Sequence, residues 1–142
     1  MNAADTVQSF ASVQALASIG TLVRNYFPAA SLSLSPWRDD PETRVWVGEE
    51  TLDLAFHFPG WSPKLQCRSL LIQLRVSKET QFALPRLLGI LMRGMTFDGE
   101  RWRLATIGDW EPTGSYLPQA FEMIQLKSIC RDLFELFPSY SL

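Results

Sequence analysis

The chain carries a single histidine, His57, so any nucleophilic mechanism of the Ser-His or Cys-His kind must run through it. Its sequence neighbours do not supply one. Asp53 precedes it by four positions in the alternating stretch "TLDLAFHF". Four steps of strand rise separate the two side chains by about 13 Å, too far for the carboxylate to orient the imidazole. Cys67 could come near only through tertiary folding, and nothing in the spacing requires it. A histidine satisfied at a surface is the plainer reading.

Metal and phosphate chemistry find no better footing. "WRDDPE" at 37–42 gathers Asp39, Asp40 and Glu42, oxygen ligands of the kind hard cations prefer, but it lacks the D-x-[DN]-x-[DN]-G pattern of a calcium loop. A turn stabilised by aspartate side chains before Pro41 accounts for it. Cys67 and Cys130 stand 63 positions apart with no CxxC, which suits neither a zinc site nor a disulfide framework and reads as two buried thiols. There is no G-x-x-x-x-G-K-[ST], G-x-G-x-x-G or G-x-S-x-G. No catalytic residue, metal or cofactor is therefore expected.

The richest pattern is cationic and aromatic. In "FDGERWRLATIGDWEP", 97–112, period-two alternation sends Trp102, Leu104 and Thr106 to one face and Arg101, Arg103, Ala105 and Ile107 to the other. The first set suits a core, so Trp102 reads as a packed residue. If all the alternating stretches join one sheet, the opposite face also receives Arg44, Trp46, Asp53, His57, Gln73 and Arg75. Arginine and tryptophan are the residues of interface hot spots. A solvated face with cross-strand ion pairs is the alternative. Trp37 and Trp61, each in a stretch containing proline, are two more large aromatics placed to cover the sheet ends or enter a partner.

Those candidates need elements to hold them. Val7, Phe10, Val13, Leu16, Ala17, Ile19, Val23, Tyr26 and Phe27 fall on one helical face between a capping Asp5 and a terminating Pro28. "SLSLS" at 31–35, "TRVWVG" at 43–48, "TLDLAFHF" at 51–58 and "RSLLIQLRV" at 68–76 alternate as strands, with "PGWSPK" at 59–64 as an irregular loop. In "ALPRLLGILMRG", Pro85 suits a first helical turn and Gly94 a C-terminal cap, which predicts a middle helix over 84–93. Met95–Phe97 and Arg101–Ile107 form a hairpin about Asp98-Gly99. A last helix after Ser115 shows Ala120, Met123, Leu126, Ile129, Cys130, Leu133 and Phe137 on its apolar stripe. The expected fold is a single α+β domain over 1–142, in two layers. A largely antiparallel sheet of five or six strands carries N-terminal, middle and C-terminal helices on one face.

Composition bounds the function. Thirteen Lys+Arg against fifteen Asp+Glu give a net charge of −2, so no overall positive field gathers nucleic acid or anionic lipid. Single-stranded nucleic acid would want several aromatic platforms among cations, and only Trp46 is clearly placed among Arg44, Arg75, Arg101 and Arg103. The longest aliphatic run, "LLGILM", is far short of the roughly 20 residues of a membrane span, and the first residues lack the pattern of a signal peptide. A cytoplasmic protein-interaction or assembly module is the expectation, docking another protein or a second copy of itself through Arg44, Trp46, His57, Arg75, Arg101, Arg103, Trp37 and Trp61. In element order and acidic balance the chain is similar to small dimeric secretion chaperones. The competing expectation is a small-molecule-binding or enzymatic domain whose apolar pocket meets an anion with Arg75, Arg101 or His57.

Overall fold

The computed structural model describes residues 2–6, 10–37, 51–77, 84–107 and 110–138. Within them the alternating stretches become strands β1 (Ser31–Ser33), β2 (Thr51–Ser62), β3 (Cys67–Val76), β4 (Leu87–Thr96), β5 (Gly99–Ala105) and β6 (Thr113–Gly114). They form one antiparallel sheet in which each strand pairs with its neighbours in the chain, in the order β1 to β6. Two α-helices flank it in sequence, α1 (Phe10–Tyr26) and α2 (Ala120–Glu135). The result is α+β.

Register shows why the alternation makes a core. Leu54, Ile72, Met92 and Leu104 lie in one cross-strand row, and Phe56, Leu70, Gly94 and Trp102 in the next. All of the large side chains in these rows are fully buried. Leu16, Ile19 and Val23 of α1 and Met123, Leu126, Ile129, Cys130 and Leu133 of α2 join them in one cluster, so both helices cover the same sheet face. Cys67 and Cys130 are buried and unbonded.

Three expectations are corrected. The stretch 84–93 is not a helix: it forms the main part of β4, and the described residues contain two α-helices where three were expected. Its glycines serve packing instead of capping. A β-carbon on Gly94 would overlap the indole of Trp102, and one on Gly89 would crowd Ile107. Leu88 is an extra residue between two paired positions, since Arg75 pairs with Gly89 and Val76 with Leu87. That bulge breaks the period of two and leaves a pattern that imitates a helix.

The second correction concerns 59–64, where β2 continues through Ser62 before turning. The third is at the start of the chain, where Ala3–Thr6 form a separate short 3-10 turn and α1 begins at Phe10, with Val13 and Ala17 exposed. The expected strand 43–48 and the acidic turn at 38–42 lie outside the described residues.

Candidate functional site

The outer face of the sheet, opposite the helices, is not the open platform that alternation suggests. At its centre Asp53, Ala55, Leu71 and Gln73 are buried. Asp53 accepts hydrogen bonds from Trp37 Nε1 at 2.5 Å, Thr51 Oγ1 at 2.7 Å and Gln73 Nε2 at 3.2 Å. Asn2 bridges to the same strand position and exchanges hydrogen bonds with the Trp37 backbone. Trp37 is thus a half-buried partner of Asp53 and not a projecting anchor.

The arginines part company for a reason visible in the pairing of β4 with β5. Gly94 faces Trp102, but Met95 faces Glu100, so Arg101 is an extra residue on β5. A bulge of this kind re-aims a side chain. Arg103 stays on the outer face, where Glu100 accepts from its Nε at 3.0 Å and its Nη2 at 2.7 Å. Arg93 reaches the same carboxylate at 3.7 Å. Burial pulls the Arg93 guanidinium below the ordinary arginine value, and Glu100 opposes that shift. Arg103 and Glu100 are therefore a structural ion pair.

Arg101 turns the other way. Its guanidinium stands 4.9 Å from the Trp61 ring centre and 4.0 Å from that of Tyr116, and Nη2 donates to Gln66 Oε1 at 3.1 Å. Trp61 comes from the end of β2, Gln66 from the β2–β3 turn and Tyr116 from the segment leading into α2. The turn is tied to the start of α2, where Gln119 N–H donates to the Lys64 carbonyl at 2.9 Å, and to β5, where Trp102 Nε1 donates to that of Leu65 at 2.6 Å. Around this junction Trp61, Tyr116, Leu117, Phe121 and Ile124 are all exposed, Phe121 at 66% and Ile124 at 62%. Phe121 and Ile124 sit one helical turn apart on the side of α2 away from the core.

The other expected residues scatter. His57 is exposed, and its Nδ1 lies 2.7 Å from Ser69 Oγ on the paired position of β3. That is the one nucleophile-and-base geometry the sequence did not suggest. Neither residue lines a described cavity, and no carboxylate among the described residues is bonded to the imidazole, so it reads as a cross-strand hydrogen bond. Arg75 is exposed at the far end of β3, away from Arg101. Arg44 and Trp46 lie outside the described residues. Of the six expected site residues that are described, Trp61 and Arg101 come together.

Two cavities open on the helix side. One, of about 90 Å3, is lined by Leu16, Leu52, Leu84, Pro85 and Phe137 among others. The other, of about 180 Å3, lies beside the exposed cluster and is lined by Tyr26, Phe27, Phe58, Phe121, Glu122 and Lys64 among others. Neither of these two cavities is lined by Arg75, Arg101 or His57. Among the described residues no group of three or more His, Cys, Asp or Glu is placed to hold a metal ion, and no helix is long and apolar enough to cross a membrane.

A family described as a domain of unknown function matches residues 4–139, and the chain belongs to it. No curated protein and no solved structure matches the chain.

Proposed function

We propose that the protein is a protein-interaction module that docks another polypeptide through the surface where the β2–β3 turn meets the start of α2. The observation behind this reading is the cluster of Trp61, Tyr116, Leu117, Phe121 and Ile124, exposed around a stacked Arg101. Apolar side chains exposed singly need no explanation, but several gathered at one place mark an interaction surface. Tryptophan, tyrosine and arginine are also the side chains that dominate binding energy at such surfaces. The stacking holds Arg101 and its two rings in place before a partner arrives, which lowers the ordering cost of binding.

The docking surface in this proposal is smaller than the sequence suggested and differently placed. It retains Trp61 and Arg101 from the expected set, and Arg103 is spent on Glu100. Two unbonded buried thiols suit a reducing compartment such as the cytoplasm. The partner is a second copy of the chain or a different protein, and light scattering after size exclusion separates the two. Tyr116→Ser with Ile124→Ser, both at exposed positions, is expected to leave the melting temperature nearly unchanged and to weaken association. Unchanged association in that double variant refutes the reading.

A further inference from the structure

Glu122, on α2, is only 4% exposed, and it lines the cavity of about 180 Å3. Its position in the first turn of α2 invites a capping role, in which its side chain would accept from the N–H of the N-cap residue Gln119. That N–H is already given to the Lys64 carbonyl. No hydrogen bond or ion pair engages the Glu122 side chain among the described residues. Its carboxylate oxygens are not sealed from solvent, which they meet through the cavity, so the charge opens into that space and not into the packed core.

Four aromatic residues form part of the walls around that carboxylate, with Ser62, Leu65 and Gln125 among the rest. Phe27 and Phe58 meet edge to face with ring centres 6.3 Å apart, Tyr26 stands beside Phe27 at 6.5 Å, and Phe121 closes the outer side. Aromatic rings and a carboxylate converging on one space recognise a positive charge on an alkyl stem, the rings through their faces and the carboxylate through charge-assisted hydrogen bonds. The volume falls below the roughly 300–1,000 Å3 of sites that enclose a whole drug-sized ligand, so it suits a terminal group. The only other charged residue on the lining is Lys64, which is exposed and belongs to the rim.

We propose that this pocket binds a terminal alkylammonium group, with Glu122 as its counter-ion and Tyr26, Phe27, Phe58 and Phe121 as its cage. The group comes from a free amine or from a lysyl side chain presented by a polypeptide. The inference shares Phe121 with the docking surface but does not rest on that reading, because Tyr116 and Ile124 do not line the pocket.

The test is a titration of isotope-labelled protein, followed by amide shifts, with n-butylammonium, N-acetyl-lysine methylamide and neutral n-butanol. Both ammonium compounds are expected to move amides of 26–27, 58–65 and 119–125, and n-butanol to bind at least about tenfold more weakly. Glu122→Gln keeps the side-chain volume and is expected to remove that preference. Phe121→Ala, at an exposed position, weakens ammonium binding while the fold is intact, and Lys64→Gln strengthens it by removing a like charge. Tyr116→Ser with Ile124→Ser leaves ammonium binding unchanged even where it abolishes association, which keeps the two readings apart. Equal affinity for the two ammonium compounds assigns the site to free amines, and a preference for the lysine derivative assigns it to polypeptide. The proposal is overturned if no ammonium compound binds at millimolar concentration, if n-butanol binds equally well, or if folded Glu122→Gln keeps the preference.

Discussion

The indole of Trp102 occupies the space that a β-carbon of Gly94 would need, and the two residues are cross-strand partners on β4 and β5. The ring cannot easily retreat, since its Nε1 donates to the Leu65 carbonyl at 2.6 Å and its side chain is fully buried. Gly94→Ala is therefore expected to destabilise the protein by about 1–3 kcal/mol through overpacking, and Trp102→Ala by about 3–5 kcal/mol through loss of a large core side chain. Combining them relieves the clash, so the double variant should be less destabilised than the sum of the two. Urea unfolding of the four proteins checks this, and strict additivity contradicts the shared space.

Asp53 and Phe56 face opposite sides of β2, yet both are fully buried. Phe56→Asp places a lone carboxylate in the core and should prevent stable folding. Asp53→Ala leaves Trp37 Nε1, Thr51 Oγ1 and Gln73 Nε2 without this acceptor, at about 1–3 kcal/mol for a donor that stays buried and unsatisfied. Thermal melts of Asp53→Ala and Asp53→Asn should rank wild type above Asn and Asn above Ala. A wild-type melt for Asp53→Ala would mean that the outer face is solvated there.

Burial pushes both cysteine thiols up to about 12, from an ordinary value of 9.0. Below pH 9 the folded and unfolded chains both keep these protons, and the thiols add no pH dependence. As the pH rises from about 9 towards 12 the unfolded chain releases protons that the folded chain retains, so stability falls. In the native state Cys67 and Cys130 are expected to resist iodoacetamide at pH 8 and to be alkylated once urea unfolds the protein. Fast native labelling of either would show that its thiol is reached without global unfolding.

Arg101 and Arg103 differ by two positions and should differ in consequence. Arg101→Glu places a carboxylate between the Trp61 and Tyr116 rings and is expected to weaken association. Arg103→Ala removes an exposed ion pair to Glu100 and should change stability by no more than about 1 kcal/mol, with association intact. Sedimentation of both variants decides it, and equal loss of association would return Arg103 to the docking surface.

Much of the sheet could be read directly. Leu52 to Phe58 and Leu70 to Leu74 alternate because one side meets the helices, and Asp98-Gly99 provides the turn, with Gly99 at φ +112°. What could not be read depends on bulges and on contacts distant in sequence. Leu88 and Arg101 are each an extra residue in a strand, and one such residue shifts the phase of everything beyond it. Alternation therefore put Arg101 and Arg103 together, and the structure separates them.

The aromatic cluster left a fainter mark in the sequence. Phe121 and Ile124 lie off the apolar stripe of the last helix, and two large apolar residues on its supposedly polar side signal an exposed surface. The burial of Glu122 left none, because it follows from the β2–β3 turn folding against the start of α2.

The order of the sheet also bears on how the chain reaches this state. With β1 to β6 paired in sequence, the ladder can grow one hairpin at a time, and the low loop-closure cost of short separations favours early formation. The helices have no such advantage. Leu16 and Phe137 line the same small cavity although almost the whole described chain lies between them. The meeting of α1 with α2 over the sheet is thus the contact with the longest loop to close, and a ladder formed without it would leave its apolar face open to other chains.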